Sequence, residues 1–418
     1  MNSENSILDT DKLSILEEGQ AKFYLFNKDL SSIPTKSMEV FYNKGMEINR
    51  DITCLAVETY SDYYNKKKLI VIDSMAGSGI GSIRILKECK NIEKIYINDI
   101  NPTAKQLIIK NLRLNGMENN RIKIKVSRKD ANYLLSEITN KYLTNNLTVA
   151  KKPNIISIDP FGTPNLYIDT AFKAIQKKGG FLCITATDTA VLFGVKPKAC
   201  LRKYMAKPLH NEFCKEIGAR ILLYFLSRIA NINGLGITPL LTFYHRHFIR
   251  IFLITFPEKK KVANQIAFYK FLIYCKKCGH RFIVQNSPLQ DKLKCSLCGE
   301  KTHLDYAGPL WTGKIHDENF INKLKEYNAM SALNNRKKLA RILEYCAQEL
   351  TTPISYYNIH EICKVINSNT IPKMETIIET IRKEGYRASR THFDFTSIKT
   401  DMDIDSLKII LLRLEKEV

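Results

Sequence analysis

The chain has 418 residues, 44% of them hydrophobic, enough for two or three domains with sizeable cores. Its 64 Lys+Arg against 42 Asp+Glu leave a formal charge of +22, which points to a polyanionic partner, nucleic acid ahead of an anionic membrane surface; a lysine-rich genome is the competing explanation. The most apolar run, 237–256, is interrupted by His245, Arg246, His247 and Arg250, and the acidic, polar first 20 residues do not have the form of a signal peptide, so a cytoplasmic protein with no membrane partner is expected.

From Leu69 onward, strand-like and helix-like stretches alternate. KLIVIDSMA reads as a buried strand ending in Asp73, followed by a turn at Gly77, Ser78, Gly79 and Gly81 and a helix, SIRILKECK. EKIYINDI is a second strand ending at Asp99. PTAKQLIIKNLRLNG is a helix that opens at Pro102 and stops at Gly116. RIKIKVSRKDA and NIISIDPFGTP are the third and fourth strands, ending at Asp130 and Asp159. IDTAFKAIQKKGG is a helix and FLCITATDT a fifth strand. This order predicts a doubly wound parallel α/β sheet. A helix over KPLHNEFCKEIGARILLYFLSRIA and a strand pair between Pro239 and Phe256 complete the region.

Composition breaks at PEKKK, Pro257 to Lys261, which sets expected domains of 1–256 and 257–418. The second holds a Cys-paired segment at about 270–305. Three helical stretches follow (DENFINKLKEYNAM, ALNNRKKLARILEYCAQEL, PKMETIIETIRKEGY). Two strand-like pieces, ASRTHF and TSIKTD, then suggest a winged-helix-like tail.

Four motifs carry chemistry. DSMAGSGIGSIR, Asp73 to Arg84, joins a strand to a helix. The flexibility of Gly77 and Gly79 lets a ligand approach the backbone; a tight turn without a ligand is the alternative. Asp99 ends the next strand, where a carboxylate can accept from both hydroxyls of a ribose; Asp130 stands where one can accept from an adenine amine. Aspartate at either place also serves as a helix cap. DPFGTP, Asp159 to Pro164, places a carboxylate and the Phe161 ring at the ligand-binding edge of the sheet. That set suits a planar amine on an extruded base: the ring stacks and the carboxylate accepts from the nitrogen. Cys275-x-x-Cys278 and Cys295-x-x-Cys298, 16 residues apart, have the spacing of a four-Cys structural zinc ribbon. The other seven cysteines are scattered singly, as buried apolar residues are.

With these motifs placed, the chain resembles the tRNA (guanine-26-N2) dimethyltransferase family. The matching pieces are VFYNKGMEINRDI, DSMAGSGIGSIR, NDINPTA, DPFGTP, ITATDTAVLFG, YMAKPLHNEFCKEIGARIL, ITPLLTFYHRHFIRIFL, AGPLW and ASRTHF. The paired-Cys segment is similar to the archaeal form. The resemblance implies a class I S-adenosylmethionine methyltransferase fold, Rossmann-like, followed by a smaller α+β C-terminal domain that binds tRNA. It implies that Arg50, Arg84, Asp99, Asp130 and Ala131 line the cofactor site, beside the Asp73 turn. It makes Asp159 the catalytic carboxylate, with Phe41 and Phe161 as aromatic walls. An N6-adenine or other amine methylase is the runner-up, disfavoured because Asp-Pro-Phe replaces an Asp/Asn-Pro-Pro-aromatic segment. A non-catalytic zinc-ribbon nucleic-acid-binding protein is a third reading, disfavoured by the intact cofactor turn. No obligate protein partner is evident in the sequence.

Overall fold

A computed structural model describes residues 10–30, 35, 37–118, 121–144, 151–287 and 293–416. Residues 1–9 of the acidic amino-terminal stretch and 288–292 of the expected zinc ribbon lie outside them.

Seven strands form one sheet: β1 (Leu69–Asp73), β2 (Ile92–Asn98), β3 (Lys123–Ser127), β4 (Ile155–Ile158), β5 (Phe181–Ala186), β6 (Gly236–His245) and β7 (Phe248–Phe256). Their spatial order is β3-β2-β1-β4-β5-β7-β6. The pairs β1–β2, β2–β3, β1–β4 and β4–β5 are parallel. Only Arg246 and His247 separate β6 from β7, and a link that short permits only an antiparallel hairpin. The first three strands run outward from β1 in one direction and the chain then returns to β4 on the other side. The reversal falls between β1 and β4, the place where such sheets open a crevice at their carboxyl ends. The central strands are apolar because both faces are covered, and all six residues of β5 are buried, whereas the edge strand β3 alternates exposed lysines with partly buried residues.

The chain divides into two compact units, each discontinuous. One comprises Met1–Ala186, Arg250–Pro257 and Asn322–Ala340; the other comprises Thr187–Ile249, Glu258–Ile321 and Arg341–Val418. One of the crossings between them falls between Pro257 and Glu258.

In the first unit, the helix Pro102–Leu114 starts where the Asn101 side chain accepts from the Thr103 amide, with Pro102 in the first turn. An antiparallel hairpin, Leu13–Glu18 with Ala21–Phe26, packs against this helix through Phe26, Ala104 and Leu107. The sequence reading named neither this hairpin nor the helices Glu47–Tyr63 and Ala131–Thr144.

In the second unit, the long helix spans Cys214–Ile232 and not the expected stretch from Lys207. The Lys207 backbone is occupied instead by paired hydrogen bonds with Gly308, both 2.8 Å. A three-stranded sheet has Tyr269–Cys275 at its centre, between Arg281–Val284 and Leu304–Trp311. The tail contains the helices Ile359–Val365 and Met374–Lys383 and a small sheet. In that sheet Ser397–Thr400 lies between Tyr357–Asn358 and Ala388–Arg390. A last helix, Ile404–Glu415, was not foreseen. Asp403 caps it by accepting from the Asp405 and Ser406 amides, and it buries Leu407, Ile410, Leu411 and Leu414.

Candidate active site

The site is built on the carboxyl ends of β1, β2, β3 and β4. Register aligns them: Asp73 stands beside Ile97 and Ser157, and Asn98 beside Ser127. Asn98 ties three of these ends together. It is fully buried, donates to the carbonyls of Ser74 (3.0 Å) and Lys129 (2.9 Å), and accepts from the Ser127 hydroxyl (2.7 Å) and the Lys129 amide (3.1 Å). All four of its bonds are made, so its cost of burial is offset. Asn98 is not among the residues expected from the sequence; a buried amide ending a strand just before Asp99 is the signal that marks it.

After β1 the chain turns through Gly77 and Gly79, with φ of +53° and +80°. A Cβ on Gly77 would lie 2.7 Å from the carbonyl oxygen of Phe41, and one on Gly79 would lie 2.9 Å from Ile108. Both conformation and space therefore require glycine. Asp99 is fixed against this turn, accepting from the Gly77 amide (2.8 Å) with one oxygen and from the Asn101 amide (2.9 Å) with the other. Asp130 accepts from the Tyr133 amide (3.1 Å), so it caps the helix that Ala131 begins; Ala131 itself is buried. Asp130 also lines a cleft of about 670 Å³ with Ile100, Lys105, Val126, Ser127, Arg128 and Lys129. Ile100 is 64% exposed, an apolar surface beside Asp99.

Asp73 and Asp159 flank the reversal point. Asp73 accepts from the Ser82 hydroxyl at 2.6 Å. Burial raises its pKa to about 6 against that hydrogen bond, with the Asp159 charge adding to the rise. Asp159 is half-buried and accepts from the Asn49 side-chain amide at 3.1 Å. Beside it Phe161 is 53% exposed and Phe41 39% exposed. A pair of large rings is thus left half-open to solvent at a strand end.

Arg50 and Arg84 lie in a network of carboxylates. Arg50 makes a two-pronged contact with Glu18, both bonds 2.6 Å. Arg84 is fully buried; it pairs with Glu18 (3.0 Å), Asp51 (2.6 Å) and Glu88 (2.8 Å). Burial opposes ionisation of Glu18, but the charges and hydrogen bonds of Arg50 and Arg84 outweigh it and hold its pKa below the usual value. Glu18 thus bridges the two guanidiniums, Arg50 adding the Asn43 carbonyl (3.2 Å) and Arg84 adding Asp51 and Glu88.

In the second unit, the sulfurs of Cys275, Cys278, Cys295 and Cys298 all lie within 4.8 Å of one another. Cys275 to Cys298 and Cys278 to Cys295 are each 3.7 Å. Four thiolates at about 2.3 Å from a tetrahedral zinc would stand about 3.8 Å apart, so the arrangement fits that ion. The two turns match: the Gly279 amide donates to the Cys275 carbonyl and the Gly299 amide to that of Cys295. Of the other seven cysteines, six are buried and Cys214 is partly so.

A second gathering of ligand-type residues, His316, Cys346, Glu349 and His392, is fully buried. Its bonding is that of a proton-donor network. His316 Nδ1 accepts from the Thr242 amide (3.3 Å), which leaves its Nε2 protonated and donating to Glu349 Oε1 (3.0 Å). His392 Nδ1 meets the same oxygen, and the other accepts from the Thr391 hydroxyl (2.8 Å) with Lys399 3.8 Å away. A carboxylate so supplied with donors, beside an ammonium, does not offer itself to a cation.

Among the described residues, no helix is long and apolar enough to cross a membrane.

Residues 19–412 match the model of the N2,N2-dimethylguanosine tRNA methyltransferase family. The tRNA (guanine(26)-N(2))-dimethyltransferase of Methanosphaera stadtmanae is 35% identical over 96% of this chain and 97% of its own length. That of Methanosarcina acetivorans is 36% identical over 92% of this chain and 94% of its own. Among solved structures, Trm1 from Pyrococcus horikoshii in complex with S-adenosyl-L-methionine superposes with a TM-score of 0.79 at 30% identity, covering 96% of this chain and all of that one. With the strand order, the turn held by Asp99 and the Asp159–Phe161 edge, this near-complete match shows that the chain belongs to the N2,N2-dimethylguanosine tRNA methyltransferase family.

Proposed function

We infer that this chain is a tRNA (guanine-26-N2)-dimethyltransferase that uses S-adenosylmethionine. The observation that carries the reading is the half-exposed carboxylate of Asp159 beside the open rings of Phe41 and Phe161 at the sheet's reversal point. Asp99, gripped by two backbone amides, is suited to the ribose hydroxyls. Ile100 and the cleft beside Asp130 suit the adenine. Gly77 and Gly79, with Asp73, leave the backbone open to the rest of the cofactor. Arg50 and Arg84 support the site through their carboxylates. The cofactor supplies a methyl group activated by its sulfonium.

A guanine N2 amine is a weak nucleophile, because its lone pair is delocalised into the ring, and it is inaccessible while paired. The base must be turned out of the helix. Phe161 and Phe41 then hold it, Asp159 accepts a hydrogen bond from the amine and directs its lone pair, and the same carboxylate takes the proton released on transfer. The runner-up N6-adenine chemistry has no observation of its own in its favour.

The formal +22 charge suits a tRNA partner, and action on tRNA is compatible with a cytoplasmic location. The four cysteines are read as a structural zinc site. The tail after residue 330, in which helices alternate with a three-stranded sheet, is read as winged-helix-like and tRNA-binding. The test is Asp159→Asn, which keeps the shape and removes the charge. Single-turnover transfer to unmodified tRNA should slow by about 10²–10⁴-fold with cofactor affinity kept. Formation of N2-methylguanosine at the unaltered rate would show Asp159 to be a turn residue.

A further inference from the structure

Arg250 breaks an apolar strand and has no role in the reading above. Its side chain is 1% exposed. Its guanidinium donates to hydroxyls: Thr185 at 2.6 Å, Thr53 at 3.1 Å and Ser157 at 3.3 Å. The Thr53 hydroxyl, accepting from Arg250, spends its own proton on the backbone carbonyl of Asn49 at 2.6 Å. Asn49 is 2% exposed and directs its side-chain Nδ2 at Asp159 Oδ2. A connected chain of hydrogen bonds thus runs from a buried cation, through one turn of the helix Glu47–Tyr63, to the candidate base.

The amide can take only one orientation. A carboxylate oxygen accepts and cannot donate, so Asn49 must present Nδ2, and its buried carbonyl Oδ1 has no hydrogen-bond partner among the described residues. Leaving such an oxygen unsatisfied is costly, and a buried orphan of this kind calls for an explanation.

We propose that Asn49 is a positioning residue for methyl transfer: it pins Oδ2 of Asp159 so that Oδ1 faces the amine, and Arg250, acting through Thr53, holds Asn49 in register. The proposal rests on Asp159 being the acceptor for the amine. Asn49 is 2% exposed and its side-chain amide is spent on Asp159, so its part is to position that carboxylate. Its loss therefore leaves ground-state binding intact and lets the carboxylate rotate away from the line of transfer. Misplacement of a reacting group by about 1 Å is enough to slow a reaction by about 100-fold.

The experiment is a double-mutant cycle in single-turnover methyl transfer with saturating enzyme, using Asn49→Ala, Asp159→Asn and the pair. Cofactor affinity is measured by calorimetry and tRNA affinity by filter binding. Asn49→Ala should slow transfer by about 10- to 100-fold while both affinities stay within about twofold. In the Asp159→Asn background it should add nothing further. Thr53→Val, which keeps shape and removes the hydroxyl, should give a smaller loss with the same lack of additivity, and covers the case in which Asn49→Ala does not fold. An unaltered rate in these variants would overturn the proposal. So would an equal slowing in both backgrounds, which marks a role independent of Asp159. If Asp159→Asn alone reacts at the unaltered rate, the reading of Asp159 falls and this proposal falls with it. If Asp159→Asn is slow and Asn49→Ala is not, only the proposal falls.

Discussion

Phe41 and Phe161 meet edge to face, their ring centroids 5.5 Å apart and their planes at 86°. One ring comes from the segment before the first long helix and the other from the loop after β4, so two distant stretches of chain build one corner. A base stacked on one ring would find the other at its edge. Base–aromatic stacking is worth about 1–3 kcal/mol, so Phe161→Ala should lower kcat/KM for tRNA by about 5- to 150-fold. Phe41→Ala should fall in the same range or just below it. Steady-state assays with saturating cofactor read this directly, and a loss confined to cofactor binding would place the rings elsewhere.

Asp99→Ala should weaken cofactor binding by about tenfold or more, since a charge-assisted hydrogen bond contributes roughly 1.5–3 kcal/mol. Part of the loss should come from the turn itself, because Asp99 also holds the Gly77 amide. Calorimetry with S-adenosylmethionine decides it: an isotherm unchanged by the substitution removes Asp99 from the cofactor site.

Freshly purified, reduced protein should contain one zinc per chain. Structural zinc contributes directly to folding free energy. Removing it with a strong chelator should speed amide exchange in the strands Tyr269–Cys275 and Leu304–Trp311, which surround the four cysteines. Elemental analysis that finds no metal, or exchange that ignores the chelator, would leave the cluster a set of thiols.

The buried network around Glu349 should make the second unit sensitive to acid. Burial lowers the His316 pKa from 6.5 to about 4, against the pull of its Glu349 partner. Between those values the unfolded chain binds more protons than the folded one, so stability falls as pH drops. From His316 alone the loss between pH 6.5 and pH 5 is about 2 kcal/mol. Glu349 acts in the same direction at lower pH. Burial raises its pKa, but the charges of His392 and Lys399 and the imidazole hydrogen bonds depress it overall. Its contribution is present above the ordinary carboxylate range and lost below. Amide exchange around Cys346 and His392 should accelerate at pH 5 relative to pH 7; equal protection at both would contradict the neutral, donor-type His316.

The strands β1 and β4 were legible as short apolar runs, and Asp73, Asp99 and Asp159 each stand at or just after the end of a parallel strand. The paired cysteines were legible because their spacing alone implies the sulfur cluster. What escaped was whatever depends on long-range partners. Asn49 lies in a helix that shows no motif of its own, and its meaning comes only from Asp159, far along the chain. Arg250 looked like an interruption to a strand, because nothing local reveals that three hydroxyls receive its guanidinium. The helix from Lys207 was placed too early because a single bridge to Gly308 claimed the backbone that periodicity had assigned to it.

Glu18 sits in the turn region of the amino-terminal hairpin, before every motif that announces the enzyme. A chain trimmed to begin at Ala21 would keep the glycine turn, Asp99, Asp159 and all four cysteines, and by inspection would still be complete. It would nevertheless leave the Arg50 and Arg84 guanidiniums without the carboxylate that bridges them, the second of them wholly buried. Arg84 would keep Asp51 and Glu88, so Arg50 would bear most of the loss; stripping a buried charge of its partner altogether costs up to about 3–5 kcal/mol. The hairpin is therefore a counter-ion delivered by the backbone.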